Sequence, residues 1–165
     1  VGLHHRLDRD TAGLVLMTKK SSANKSIADQ FKDRTIKKKY LAIVEGKKPE
    51  RETWSVDGPI ARMNAPRGTF KFGIDFKKGD KALTHFKYLR SLSPDQHVIE
   101  CSPVTGRTHQ IRIHLSHSQL PILGDHVYGK KAAVRLQLFA FQLEFNHPKT
   151  GKVMAVSSKQ EFKGV

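Results

Sequence analysis

Two short segments gather side chains that seldom crowd together without chemistry to do. The first is His4-His5-Arg6-Leu7-Asp8-Arg9-Asp10-Thr11-Ala12-Gly13, in which Asp8 stands between Arg6 and Arg9. Neighbouring guanidinium groups keep a carboxylate ionised, the state a nucleophile or electrostatic stabiliser requires and a general acid does not. The same residues also suit a plain turn held by Asx and Arg contacts, leading into a strand at Leu14. On residue types alone that plainer reading suffices. The second segment is Gly106-Arg107-Thr108-His109-Gln110-Ile111-Arg112-Ile113-His114. Glycine followed by polar residues at a helix start offers free backbone N–H groups to an anion. Arg112, in the following turn, has the fork to grip a carboxylate through two hydrogen bonds. A solvated basic helix face accounts for the same pattern.

Metal chemistry is weakly signalled. His109, His114 and His117 cluster, and His4-His5 are available to join them, but the spacing is not H-E-x-x-H. One cysteine, Cys101, makes neither a structural zinc set nor an internal disulfide. Asp8-x-Asp10 is a weak magnesium signal, on which a metal-dependent nuclease or phosphotransferase would rest. There is no P-loop or Rossmann glycine pattern.

These groups need a scaffold, and the hydrophobic pattern supplies one. Leu14 to Thr18 reads as a short buried strand. Ser21 and Ser22 then suit the N-cap of a helix running to about Asp33, with Ala23, Ile27, Ala28 and Phe31 on one face. Tyr40 to Val44 reads as a strand closed by Gly46. Residues 47–81 read as a charged surface excursion with short strands at 56–60 and 69–76. Ala82 to Leu89 and Val98 to Cys101 pair across a Ser-Pro-Asp turn, and a helix runs from Gly106 to about His117. Phe139, Phe141, Leu143 and Phe145 alternate with Ala140, Gln142 and Glu144, and Val153 to Val156 returns beside them. Strands dominate: the expected class is α+β, a mixed and largely antiparallel sheet with few helices.

The chain has 165 residues, about one domain's worth. Thirty Lys+Arg against 15 Asp+Glu leave a net charge of +15, which points to a polyanionic partner. A hydrophobic content of 38% is enough for a core and too much for a disordered basic tail. No apolar run reaches the roughly 18 residues of a membrane span. A monomer in the cytoplasm, without a membrane, is the corresponding expectation.

Taken together, the motifs resemble the RluA-like family of RNA pseudouridine synthases. H-R-L-D-R-D-T-A-G-L at 5–14 is similar to the family's catalytic motif, and K-K-K-Y-L-A-I-V-E-G at 37–46 to its tyrosine-bearing strand. D-G-P-I-A-R at 57–62 and K-A-L-T-H-F at 81–86 follow in the family's order. G-R-T-H-Q-I-R-I-H-L at 106–115 and P-I-L-G-D at 121–125 match its second signature, and R-L-Q-L-F-A-F-Q-L-E-F-N-H-P-K-T-G at 135–151 its closing hairpin.

The resemblance implies an isomerase that converts uridine to pseudouridine in ribosomal or transfer RNA, without metal or cofactor. It assigns Asp8 as the attacking carboxylate, Tyr40 as the ring on the target base and an aid to its deprotonation, and Arg112 as the basic partner of Asp8. Arg6 is assigned to fill the gap left by a flipped nucleotide. Arg9, Lys39, Arg107, Thr108 and His109 complete the expected substrate contacts. The Lys-rich stretch 37–39, with Lys19, Lys20 and Arg107, suits a sequence-independent grip on phosphates. The family has an N-K-P-like strand and hairpin ahead of its catalytic motif, so residues 1–165 are expected to form a single catalytic domain lacking its first strands. An RNA-binding fragment without turnover is the alternative. Phe139 stands where the family often has histidine, an expected packing variation.

Overall fold

The computed structural model describes residues 1–63, 71–130 and 133–158. In chain order the elements are β1 (Gly2–Leu3), β2 (Ala12–Gly13), β3 (Met17–Thr18), a 3-10 turn at Ser21–Ala23, α1 (Asn24–Lys32), β4 (Lys37–Glu45) and β5 (Thr53–Asp57). Then come β6 (Ile60–Met63), β7 (Lys71–Ile74), β8 (Leu83–Ser93), β9 (Gln96–Pro103), α2 (Gln110–His117), β10 (Leu138–Asn146) and β11 (Val153–Ser157). The class is α+β, as the sequence indicates. Part of the strand expected at 69–76 lies outside the described residues.

Strand β4 is the spine. The main sheet runs β11-β10-β4-β9-β8-β5, antiparallel throughout, and β2 joins it in parallel against β10. Ala42, Ile43 and Val44 are all 0% exposed. Such a continuous apolar run is what a central strand covered on both faces needs. Ala42 and Val44 share a core with Phe86, Ile99 and Cys101 of neighbouring strands, and Ile111 and Leu115 of α2 close over it. A second core joins Ile27 of α1 to Ile36, Leu143 and Phe145. The β6–β7 hairpin stands apart from the main sheet and packs through Ile60, Phe72 and Ile74 on Ile113 of α2.

Four expectations are corrected. The stretch Leu14 to Thr18 is not a continuous buried strand: only Met17–Thr18 is strand, and Val15 and Met17 are exposed. The reason is that the Leu16 N–H donates to Nε2 of His5 (2.8 Å) instead of to a ladder carbonyl. The Ser21–Ser22 start is a 3-10 turn without a side-chain cap bond, and α1 begins only at Asn24.

Helix α2 begins at Gln110 rather than Gly106. Gln110 Oε1 accepts the Arg107 N–H (3.0 Å) and the Thr105 hydroxyl (2.6 Å), which holds residues 106–109 as a turn outside the helix. One N–H of the expected anion cradle is therefore already used. Lastly, β10 does not keep one alternation. A bulge between Ala140 and Gln142 inserts Phe141, so Leu138 and Ala140 are buried before it and Leu143 and Phe145 after it. One extra residue reverses the parity of every later side chain, and here it passes the strand from the first core to the second.

Candidate active site

Three elements converge on one cavity of about 530 Å³. The loop 5–11 contributes Arg6, Asp8 and Thr11, β4 contributes Lys38 and Tyr40, and the segment after β9 contributes Thr105, Gly106, Arg107 and Thr108, with Arg112 behind them. The loop is anchored by β2, whose residues Ala12 and Gly13 pair with Phe139 and Ala140 of β10. Gly13 has φ +123, and a Cβ there would overlap the Ala140 backbone. Only glycine allows this approach.

Asp8 is half-buried and is the sole carboxylate among the described lining residues. Tyr40 faces the same space from β4. Burial first, then the charge of Asp8, pushes its phenol up to about 12. It is a neutral phenol near pH 7.

Arg112 is 5% exposed. Its hydrogen bonds do not go to Asp8, the partner implied by the family resemblance. Nε and Nη2 donate to the two carboxylate oxygens of Asp125, both at 2.8 Å. Asp125 also accepts the N–H groups of Val127 (2.9 Å) and Tyr128 (3.1 Å). Burial opposes both charges, yet the hydrogen bonds and mutual attraction raise the pKa of Arg112 and lower that of Asp125. Asp8 adds to the field at Arg112 through space. The Arg112 guanidinium further lies 5.2 Å from the centre of the Tyr128 ring.

The remaining expected contacts divide. Arg6, Arg107 and Thr108 line the cavity with Asp8; Arg107 is steadied by Asp80 (3.4 Å) and by the Lys81 carbonyl (3.2 Å). Arg9 does not line it. It is turned outward onto Asp10 (3.0 Å) and borders a second cavity with Asp10, His126 and Arg135, Arg112 forming part of both walls. Asp8 and Asp10 thus do not converge on one cavity. Lys39 points to the opposite side of β4 and pairs with Glu100 at 3.0 Å, because successive strand residues alternate. His109 sits behind the cavity in the left-handed conformation (φ 56). Its pKa is lowered, chiefly by burial, and its Nδ1 shares a hydrogen bond with the Tyr128 hydroxyl (2.9 Å), whose oxygen also accepts the Phe72 N–H (3.2 Å).

The roles of two groups of residues were not read from the sequence. Asp125 was visible only as part of a motif. Gln110 and His114 form a fully satisfied buried chain. Gln110 Nε2 donates to Thr84 Oγ1 (3.0 Å), Thr84 donates to His114 Nδ1 (2.9 Å), and His114 Nε2 donates to the Gly58 carbonyl (2.9 Å). It ties α2 to β8 and to the β5–β6 connection. The signal was available: polar residues at positions 110 and 114 fall on one side of a helix.

Comparison with known proteins places the chain in a family. A family model described as RNA pseudouridylate synthase matches residues 1–117. The chain is 36% identical over 154 residues to an uncharacterized RNA pseudouridine synthase, YlyB, of Bacillus subtilis, covering 92% of this chain and 49% of that protein. It is 38% identical over 162 residues to ribosomal large subunit pseudouridine synthase D of Zymomonas mobilis, covering 92% and 50%. With ribosomal large subunit pseudouridine synthase C of Escherichia coli it shares 35% identity over 170 residues, covering 96% and 52%. The chain spans about half the length of these relatives. The solved structure of human RNA Pseudouridylate Synthase Domain Containing 1 superposes with a TM-score of 0.84 at 25% identity, covering 96% of this chain and 69% of that one. Match, identity and fold together show that the chain belongs to the RNA pseudouridylate synthase family, of the RluA-like type.

Proposed function

We propose that this chain is the catalytic part of an enzyme that isomerises specific uridines to pseudouridine in structured RNA, ribosomal RNA before transfer RNA. One observation carries the reading: a nucleoside-sized cavity in which a single carboxylate, Asp8, meets Tyr40 and the buried cation Arg112. The reaction breaks the C1′–N1 bond of uridine and makes a C1′–C5 bond. C5 loses a proton and N1 gains one, so no electrons or groups are exchanged with a second reactant.

Asp8 acts as the nucleophile on the ribose or the base. Arg112, held by Asp125, stabilises negative charge that develops on the departing uracil. Tyr40 supplies a ring face and an O–H donor; as a phenol pushed up to about 12 it is too weakly ionised to be the base at neutral pH. The C5 proton is assigned to the Asp8 carboxylate once it is regenerated, since no other described carboxylate lines the cavity. Arg6 is exposed at the rim and fills the gap left by the extruded nucleotide, offsetting an unstacking cost of a few kcal/mol. Ribosomal RNA is favoured because relatives at 38% and 35% identity carry ribosomal large subunit names.

The test is to incubate structured ribosomal RNA with the wild-type chain and with Asp8→Ala, then measure pseudouridine by chemical labelling and mass spectrometry. Product is expected from the wild type alone. Equal product from both would remove Asp8 from the mechanism, and RNA binding without product from either would favour a binding role.

A further inference from the structure

Lys38 lines the same cavity as Asp8 but without a counter-ion. Its neighbours Lys37 and Lys39 pair with Glu144 (2.7 Å) and Glu100 (3.0 Å), whereas Lys38 makes no side-chain hydrogen bond or ion pair among the described residues. Strand alternation explains the difference, since Lys38 shares its face of β4 with Tyr40. Burial lowers its pKa, so this cation is partly stripped of water with no compensating partner. Its charge is felt at His5, while that of Asp8 is felt at Tyr40, His109 and Arg112. Lys38 enters the cavity from β4 and Asp8 from the loop 5–11. The approach to Lys38 is open on the side of Gly106, where a Cβ would stand 3.5 Å from the ammonium nitrogen.

A second cation points the same way. Arg34 follows α1, lines the cavity, and makes no side-chain hydrogen bond or ion pair among the described residues. It adopts φ 58, the left-handed conformation in which helices usually place glycine. The Thr35 N–H bonds to the Gln30 carbonyl (3.0 Å) and the Arg34 N–H to that of Phe31 (3.3 Å), closing the helix end around it. Strain of this kind persists where surrounding structure enforces it, often at ligand sites. A glycine here would relieve the strain but remove the charge.

We infer that Lys38 in the cavity and the exposed Arg34 at its edge form an anion subsite that takes a phosphodiester adjoining the extruded uridine. Deepening the proposed function, on which it rests for the uridine, the subsite orients the nucleotide: the phosphate is held by the two cations while the glycosidic bond lies against Asp8. Lys38 is a binding residue, and the cost of its unpaired burial is offset when RNA enters.

The experiment uses the full chain and a hairpin RNA with one loop uridine, in three forms. One is unmodified; the others carry a neutral methylphosphonate in place of the phosphodiester 5′ or 3′ of that uridine. Lys38→Met is expected to fold at least as stably as the wild type, with Lys38→Gln as the second variant. Binding should weaken about tenfold at low salt, with a plot of log affinity against log salt shallower by roughly 0.7. One of the two methylphosphonates should weaken wild-type binding yet leave Lys38→Met unchanged, and Arg34→Gly should also lose affinity while gaining stability. Equal salt slopes, the same methylphosphonate penalty in both proteins, or no salt-dependent binding by the wild type would overturn the subsite. Intact binding and coupling without pseudouridine would overturn the isomerisation instead and leave the subsite standing.

Discussion

Arg112 grips Asp125 through two hydrogen bonds of 2.8 Å, and the side chains of the pair are only 6% and 0% exposed. A guanidinium fixed at two points is not free to swing onto Asp8, so its effect there is exerted through space. Burying two charges is costly, and the arrangement holds because Asp125 also accepts two backbone N–H groups while Tyr128 covers the cation. The pair sets the direction of the positive field at the cavity floor.

Asp125→Asn keeps an acceptor for the Val127 and Tyr128 N–H groups but leaves the Arg112 charge buried without its counter-charge. Breaking one side of such a pair costs about 3–5 kcal/mol. Urea unfolding should register that loss, and pseudouridine formation should fall with it. A loss below about 1 kcal/mol would mean that water reaches Arg112 and that the pair does not fix it.

Tyr40→Phe separates the ring from the hydroxyl. If the hydroxyl acts as a donor in the transition state, kcat should drop about 100-fold with KM within a fewfold of wild type. Because the phenol is pushed up to about 12, the wild-type pH–rate profile should show no rise attributable to tyrosine ionisation between pH 6 and 9. Such a rise, lost in Tyr40→Phe, would restore the phenolate as base.

The class and most strands were legible because alternation and apolar runs report burial directly: β4, β8, β9 and β10 stand within a few residues of expectation. What failed were features made by individual side-chain hydrogen bonds. His5 interrupting the strand at Leu16, and Gln110 delaying α2, are side-chain hydrogen bonds to backbone that hydrophobic periodicity does not report. The β10 bulge is likewise invisible to period counting, since either parity leaves apolar residues inside. For the site, the motifs located Asp8, Tyr40 and Arg112 in one cavity. Lys39 was named where Lys38 faces inward, although the two-residue spacing from Tyr40 distinguishes them.

Stability should fall on mild acidification, and histidines set the window. The pKa of His5 is lowered to about 4, by burial and then by Lys38 and His4, and that of His114 is lowered mainly by burial. In the unfolded chain these rings bind protons below about 6.5, whereas in the fold they resist. The stabilisation is therefore complete above pH 6.5 and is lost as pH falls towards 4. His5→Gln retains an acceptor for the Leu16 N–H and does not titrate, so calorimetric Tm should decline less steeply between pH 6.5 and 4.5. Parallel declines in both proteins would exclude His5 as a contributor.

Gly13 links the fold to the site most sharply. Its φ of +123 and its approach to the Ala140 backbone allow β2 to pair with β10, and the Leu14 N–H then bonds the Ala140 carbonyl at 2.8 Å. Gly13→Ala adds both backbone strain and a clash with main chain that has no room to yield, so a loss above about 3 kcal/mol is expected. Gly151→Ala is the control. It also has positive φ (+67) but meets nothing within 4 Å, and should cost about 1 kcal/mol without affecting activity. Hydrogen exchange should show the Gly13→Ala damage concentrated at residues 8–14, with β4 and β9 still protected. If both variants lose the same stability and keep the same activity, the β2–β10 contact does not position Asp8.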